Sequence, residues 1–128
     1  MSSLASRALI VSTLLAAPAL AAPTEMFTPA VPANDVQFQE CRIVNVTGAP
    51  QTVTTEAFNS TGANSSGPYT QTLAPGEAGG FSLSGIYGTN YCKFTVNGKA
   101  TGYRVSIDIL EVGTGGAPNR IAVSVAGS

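Results

Sequence analysis

The chain has 128 residues, with six Lys or Arg against seven Asp or Glu, no histidine and no tryptophan. So weak and scattered a charge gives no electrostatic handle on nucleic acid or on an anionic membrane surface, both of which are approached through clustered cations. Without histidine, the usual base of serine or cysteine catalysis at neutral pH is missing as well.

Residues 1–21 have the layout of an export signal: Arg7 supplies one positive charge, Ala8 to Leu20 is an apolar run, and Ala19-Leu20-Ala21 puts small residues where a signal peptidase reads. The run is too short to span a bilayer, which takes about 20 apolar residues. Cleavage is expected after Ala21, because a cut after Ala22 would set Pro23 immediately beyond the scissile bond. The processed chain keeps five cationic and seven anionic side chains, a net charge of −2, with no lipid-bearing cysteine near the cut and no apolar tail. A secreted or periplasmic monomer without a membrane anchor is the expectation.

Residues 22–35 carry Pro23, Pro29 and Pro32 and show no period of two or 3.6, so they are predicted to form a flexible, proline-rich leader. Residues 36–128 are predicted to fold as one domain, long enough for a single core.

Short runs of Val, Ile, Thr, Phe and Tyr between Gly, Pro, Asn and Ser then predict strands. In the first, Cys41 and Ile43 share a parity that Phe38, Val44 and Val46 do not, which predicts a bulge or burial on both faces. Gln51 to Phe58 sets Val53, Thr55 and Ala57 on one side. Tyr69 to Leu73 leads into Ala74-Pro75-Gly76-Glu77, where Pro75 and Gly76 suit a type II turn, and Phe81 and Leu83 form a short strand.

Cys92, Phe94 and Val96 alternate with Lys93 and Thr95, Asn97-Gly98 matches a type I′ turn, and Tyr103, Val105, Ile107 and Ile109 alternate with Arg104, Ser106 and Asp108. This predicts a hairpin with one apolar face and one wet face. A glycine-rich loop, Gly113 to Arg120, precedes a last strand with Ile121, Val123 and Val125.

About seven strands separated by turn signals predict an all-β fold, a single antiparallel β-sandwich. Cys41 and Cys92 are the only cysteines, and in an oxidising compartment they are expected to form a disulfide. In outline the pattern resembles an immunoglobulin-like sandwich, on the strength of the two half-cystines and the Leu73 to Gly76 turn. It departs from that pattern in having no tryptophan to pack on the disulfide and Asn90 where a tyrosine corner would place Tyr.

Catalytic chemistry finds little support. Lys93 and Lys99 occupy solvated settings that keep an amine protonated. The carboxylates Glu40, Glu56, Glu77, Asp108 and Glu111 are the candidates for glycoside hydrolysis, and each has a simpler reading as a turn or outer-face residue. No calcium-loop or phosphate-loop pattern is complete, so no metal and no cofactor is expected. Asn45, Asn59 and Asn64 each begin an acceptor triplet for N-linked sugar.

The one hint of a binding surface is the segment from Phe81 to Tyr91, which presents Ile86 and Tyr87 between Gly85 and Gly88, with Tyr91 close behind. These features together predict a non-enzymatic binding or structural module whose partner is a protein or a glycan. A secreted hydrolase inhibitor and a subunit of a surface assembly are the alternatives, with a glycoside hydrolase-like enzyme last.

Overall fold

The computed structural model describes residues 22–128; the signal expected over residues 1–21 lies outside the described residues. Among the described residues there are nine strands: β1 (Thr24–Phe27), β2 (Val31–Ala33), β3 (Gln37–Asn45), β4 (Gln51–Asn59), β5 (Asn64–Leu73), β6 (Ala78–Ser82), β7 (Gly88–Val96), β8 (Tyr103–Glu111) and β9 (Arg120–Ala126). They form two antiparallel sheets. One has the order β1-β7-β4-β5, with β2 also paired to β7, and the other has the order β6-β3-β8-β9.

The core lies between the sheets and is built from the period-two positions of each strand. Cys41 and Ile43 from β3, Val53 and Ala57 from β4, Cys92, Phe94 and Val96 from β7, and Tyr103, Val105 and Ile107 from β8 are all buried there. The disulfide joins Cys41 to Cys92 across the core, with Cα atoms 5.7 Å apart, and so ties one sheet to the other. The expected turn at Ala74 to Glu77 is present: Glu77 N donates to Ala74 O at 3.0 Å, and Gly76 has φ of 80°. That positive φ is why glycine stands there.

Four expectations need correction. The expected flexible leader of residues 22–35 instead contributes two strands, β1 and β2, paired antiparallel to β7 through Thr24↔Val96 to Phe27↔Lys93 and Val31↔Asn90 to Ala33↔Gly88. Its prolines do not prevent this, because Pro23 precedes β1, Pro29 lies between the strands, and Pro32 sits in an edge strand, where a missing N–H is tolerated. Met26, Thr28 and Ala33 are buried, and Thr28 Oγ1 accepts from Cys92 N at 2.9 Å.

The predicted hairpin of the strands flanking Asn97-Gly98 does not form. β7 belongs to the five-stranded sheet and β8 to the four-stranded one, so the connection crosses between layers through a 3-10 turn at Ala100–Gly102. Gly98 has positive φ but Asn97 does not, and a type I′ turn needs it at both. An immunoglobulin domain keeps the strand after the second half-cystine beside it. Here β1 and β2 fill that edge instead.

Strand β3 has no bulge and is not buried on both faces, since Phe38 and Val44 on its outer side are only half-buried. It pairs in continuous register with β8 from Gln37↔Glu111 to Asn45↔Tyr103, and its inward positions include two polar residues, Gln39 and Asn45. Both are hydrogen-bonded: Asn45 Nδ2 donates to Ala49 O and Leu73 O at 2.9 and 3.0 Å, while its Oδ1 accepts from Thr47 N and Oγ1. The register irregularities fall instead between β4 and β5, near Ala57, and between β8 and β9.

Finally, Asp108 is not on a wet face. It is 2 % exposed, covered on the outer side of its sheet by Arg42 and Ser124.

Candidate functional site

The loop Leu83 to Gly88 joins β6 in one sheet to β7 in the other. Ile86 N donates to Leu83 O at 3.2 Å, closing a turn in which Gly85 takes φ of 75°. This geometry separates the two apolar residues of the loop. Ile86 turns inward and packs against the core, while Tyr87 stands 57 % exposed.

Tyr87 borders a shallow cavity of about 270 Å³ whose lining includes Phe38, Val112, Asp35 and Asn119. Cross-strand register extends this apolar ground over the outer face of the four-stranded sheet. Phe38 is opposite Leu110, and Leu110 is opposite Ile121, so three apolar side chains form one row across β3, β8 and β9. Val36, Val112 and Ile121 are all exposed, and Val112 N bonds to Val36 O at 3.4 Å, holding the two valines together at the rim. Outward-facing apolar residues grouped in this way need explanation more than the same residues scattered singly.

The next row on that face is charged. Ser82, Glu40, Asp108 and Ser124 face one another across the four strands. Arg42 Nη2 meets Glu40 Oε1 at 2.7 Å, Arg42 Nε lies 3.8 Å from Asp108 Oδ2, and Ser124 Oγ donates to Asp108 Oδ1 at 2.6 Å. Arg120 pairs with Glu111 at 2.6 Å beside the apolar row. The carboxylates are thus engaged by cations or hydroxyls of the same face.

Tyr91 does not join Tyr87. It lies on the outer face of the opposite sheet, stacked on Phe58 with ring centroids 5.5 Å apart and facing Phe27 at 6.5 Å. Lys93 Nζ sits 5.3 Å from the Phe58 centroid and pairs with Glu56 at 2.7 Å and Glu25 at 3.9 Å. The hydrogen bond that Lys93 donates to Glu56, helped by the charges of Glu56 and Glu25, holds the Lys93 ammonium above its ordinary range despite partial burial. Lys93 is therefore a fixed cation at neutral pH. Towards β5 that face is threonine-rich, with Thr54 and Thr70 hydroxyls 3.0 Å apart and Thr52 and Thr72 hydroxyls 3.4 Å apart.

Ile86, Tyr87 and Tyr91, neighbours in sequence, are therefore distributed over the core, one outer face and the other. No group of three or more His, Cys, Asp or Glu residues arranged to hold a metal ion occurs among the described residues.

No protein-family model matches the chain, and no curated protein matches it. Among solved structures it is similar to that titled Crystal Structure of Thermotoga maritima 1070, with a TM-score of 0.53 and 11 % identity over 81 % of this chain and 91 % of that one. Identity that low speaks to the fold alone.

Phe38, Leu110 and Ile121 were not singled out by the loop argument. Their trace in the sequence is parity: Phe38 falls on the opposite phase from Cys41 and Ile43, and Leu110 on the opposite phase from Ile107 and Ile109. An apolar residue at an outward position of an alternating strand is the signal that could have located this face.

Proposed function

We propose that this protein is an exported, non-enzymatic binding module that docks a protein partner on the outer face of its four-stranded sheet, with Tyr87 as the projecting anchor. The observation that carries this reading is the row Phe38, Leu110 and Ile121, continued by Val36 and Val112 and ending at the exposed Tyr87. A tyrosine beside a small apolar cavity suits the centre of a protein interface, where an aromatic side chain gives large contact area for few lost rotamers. The neighbouring charged row supplies a polar rim. Of the two partner classes a sandwich of this composition suits, a protein fits this face better than a glycan, because its centre carries aliphatic side chains and few unengaged hydrogen-bonding groups.

The non-enzymatic part of the reading is supported by the absence of histidine and by the engagement of every candidate carboxylate. Glu40 and Asp108 face Arg42, Glu56 faces Lys93, Glu111 faces Arg120, and Glu77 accepts from Ala74 N at 2.7 Å in its own turn. Export is supported by the layout of residues 1–21 together with the disulfide. No helix among the described residues is long and apolar enough to cross a membrane.

The test is to replace Tyr87 with a photo-crosslinking residue and expose the chain to the extracellular fraction of its source. The expected adduct is a single protein, lost when Ile121 is changed to Ser. With the photo-crosslinking residue moved to the neighbouring exposed Val112, Tyr87→Ala should abolish capture while leaving the melting temperature nearly unchanged, whereas Ile86→Ala should lower stability by about 1–2 kcal/mol, since Ile86 packs on the core. An adduct that survives Ile121→Ser, or retained polysaccharide in place of protein, would overturn the assignment.

A further inference from the structure

The two long edges of the sandwich are closed differently. On one, Tyr69 and Phe81 pack edge to face with centroids 4.7 Å apart, and Gly80 N donates to Gln71 Oε1 at 2.8 Å, sealing β5 against β6. On the other, Gly127 N donates to Val105 O at 2.9 Å, and Ser128 and Phe27 exchange both backbone bonds at 2.8 and 3.0 Å, which stitches β8 to β1. A Cβ on Gly127 would lie 2.9 Å from Val105 Cγ2, so the crossing needs glycine.

This second closure covers only part of its edge. The ladder between β8 and β9 ends at Ser106↔Ala126, and alongside Tyr103 to Val105 the seam opens into a cleft of about 500 Å³. Its walls are apolar, with Met26 from β1, Val44 from β3, Val105 from β8 and Ala126 from β9. Two guanidinium groups line it, Arg42 and Arg104. They differ in what they face.

Arg42 is neutralised by Glu40 and Asp108. Arg104 makes no ion pair among the described residues; its Nη1 donates to Thr101 O and Tyr103 O at 3.1 and 2.8 Å, which steadies the group beside the cleft without cancelling its charge. A cleft of this volume falls in the usual range for small-molecule sites, which are mostly apolar with a few polar groups to fix orientation. A planar guanidinium left without a carboxylate is the complement of one.

We propose that this cleft binds a small amphipathic anion, an unbranched aliphatic chain ending in a single carboxylate. The chain lies along Met26, Val44, Val105 and Ala126, and the carboxylate meets Arg104. The site is separate from the docking face around Tyr87 and does not depend on it.

Decanoate and decanol, titrated into the processed chain and followed by amide chemical shifts, test the assignment. Decanoate should shift the signals of Val44, Thr101, Val105 and Ala126, and decanol should bind at least tenfold more weakly. Arg104→Gln should weaken decanoate binding by tenfold or more without weakening decanol. Val44→Trp, which fills the cleft from an outward position, should abolish both while leaving the circular dichroism spectrum intact. Equal affinity for the two probes, an unchanged affinity in Arg104→Gln, shifts confined to the Tyr87 face, or no shifts at all would each overturn the proposal.

Discussion

Gln39 and Asn90 occupy the positions two residues ahead of Cys41 and Cys92, and Asn90 Nδ2 donates to Gln39 Oε1 at 2.8 Å in the interior. A buried polar link therefore runs beside the covalent one, from sheet to sheet. It continues outward on both sides: Gln39 Nε2 donates to the carbonyls of Val31 and Gly88, and Ser65 Oγ donates to Asn90 Oδ1 at 2.8 Å. The link fastens β2, β3, β7 and β5 at one end of the sandwich, and Asn45 performs a similar task at the other, through Ala49, Leu73 and Thr47.

Removing one member of such a pair strands the other without water. Gln39→Leu and Asn90→Leu are each expected to cost about 2–3 kcal/mol in urea unfolding, and the double variant less than their sum, because the second change removes the orphan left by the first. Strict additivity would mean that the two side chains do not depend on each other.

A chain that begins at Asn34 should be much less stable than one that begins at Ala22. Met26 alone is worth about 1.5–3 kcal/mol of buried surface, which for a domain of this size lowers the melting temperature by on the order of 10 °C. The edge of β7 would also lie bare, so the shortened protein is expected to self-associate in light scattering. An unchanged monomer with an unchanged melting temperature would show that β1 and β2 add nothing to the fold.

Alkaline pH should destabilise the fold through two groups with the same sign. The Glu56 hydrogen bond raises Lys93 above 10.5, and burial raises the Tyr103 phenol above 10.0. In each case the folded state holds its proton more tightly than the unfolded chain does. The associated stability is complete below the unfolded value and disappears as pH climbs through the folded one. The urea midpoint is expected to fall above about pH 10, with a shallower decline in Lys93→Met and a shallower one again when Tyr103→Phe is added. Identical declines in all three proteins would refute this.

Thr55 offers a stabilising change. Its hydroxyl is buried between the sheets with no hydrogen-bond partner, while the rest of the side chain packs in the core. Thr55→Val keeps the shape and removes the unpaired group, for an expected gain of about 1 kcal/mol by chemical denaturation. A loss of stability would indicate that the hydroxyl is satisfied in solution.

Much of the framework was legible in the residues themselves. Alternation at Tyr103 to Ile109 and at Cys92 to Val96, the turn chemistry of Pro75 and Gly76, and the two half-cystines were enough to define an all-β sandwich with a disulfide across its core, because these features act through neighbours in the chain or through a covalent bond. The same local rules misread residues 24–33, where β1 turns only Met26 and β2 only Ala33 fully inward, segments too short for a period of two to emerge from their prolines. They also misread Asn97-Gly98, whose turn chemistry fits a hairpin and a layer crossing equally well. Which sheet a strand enters, and therefore that Gln39 and Asn90 meet, that Phe38 lies in line with Leu110 and Ile121, and that Tyr87 and Tyr91 point to opposite sides, depends on partners tens of residues away. The chain's own sequence specifies strands and their faces, whereas long-range pairing chooses their neighbours, since a period-two pattern determines which side of a strand is apolar and carries no mark of the strand it will lie beside.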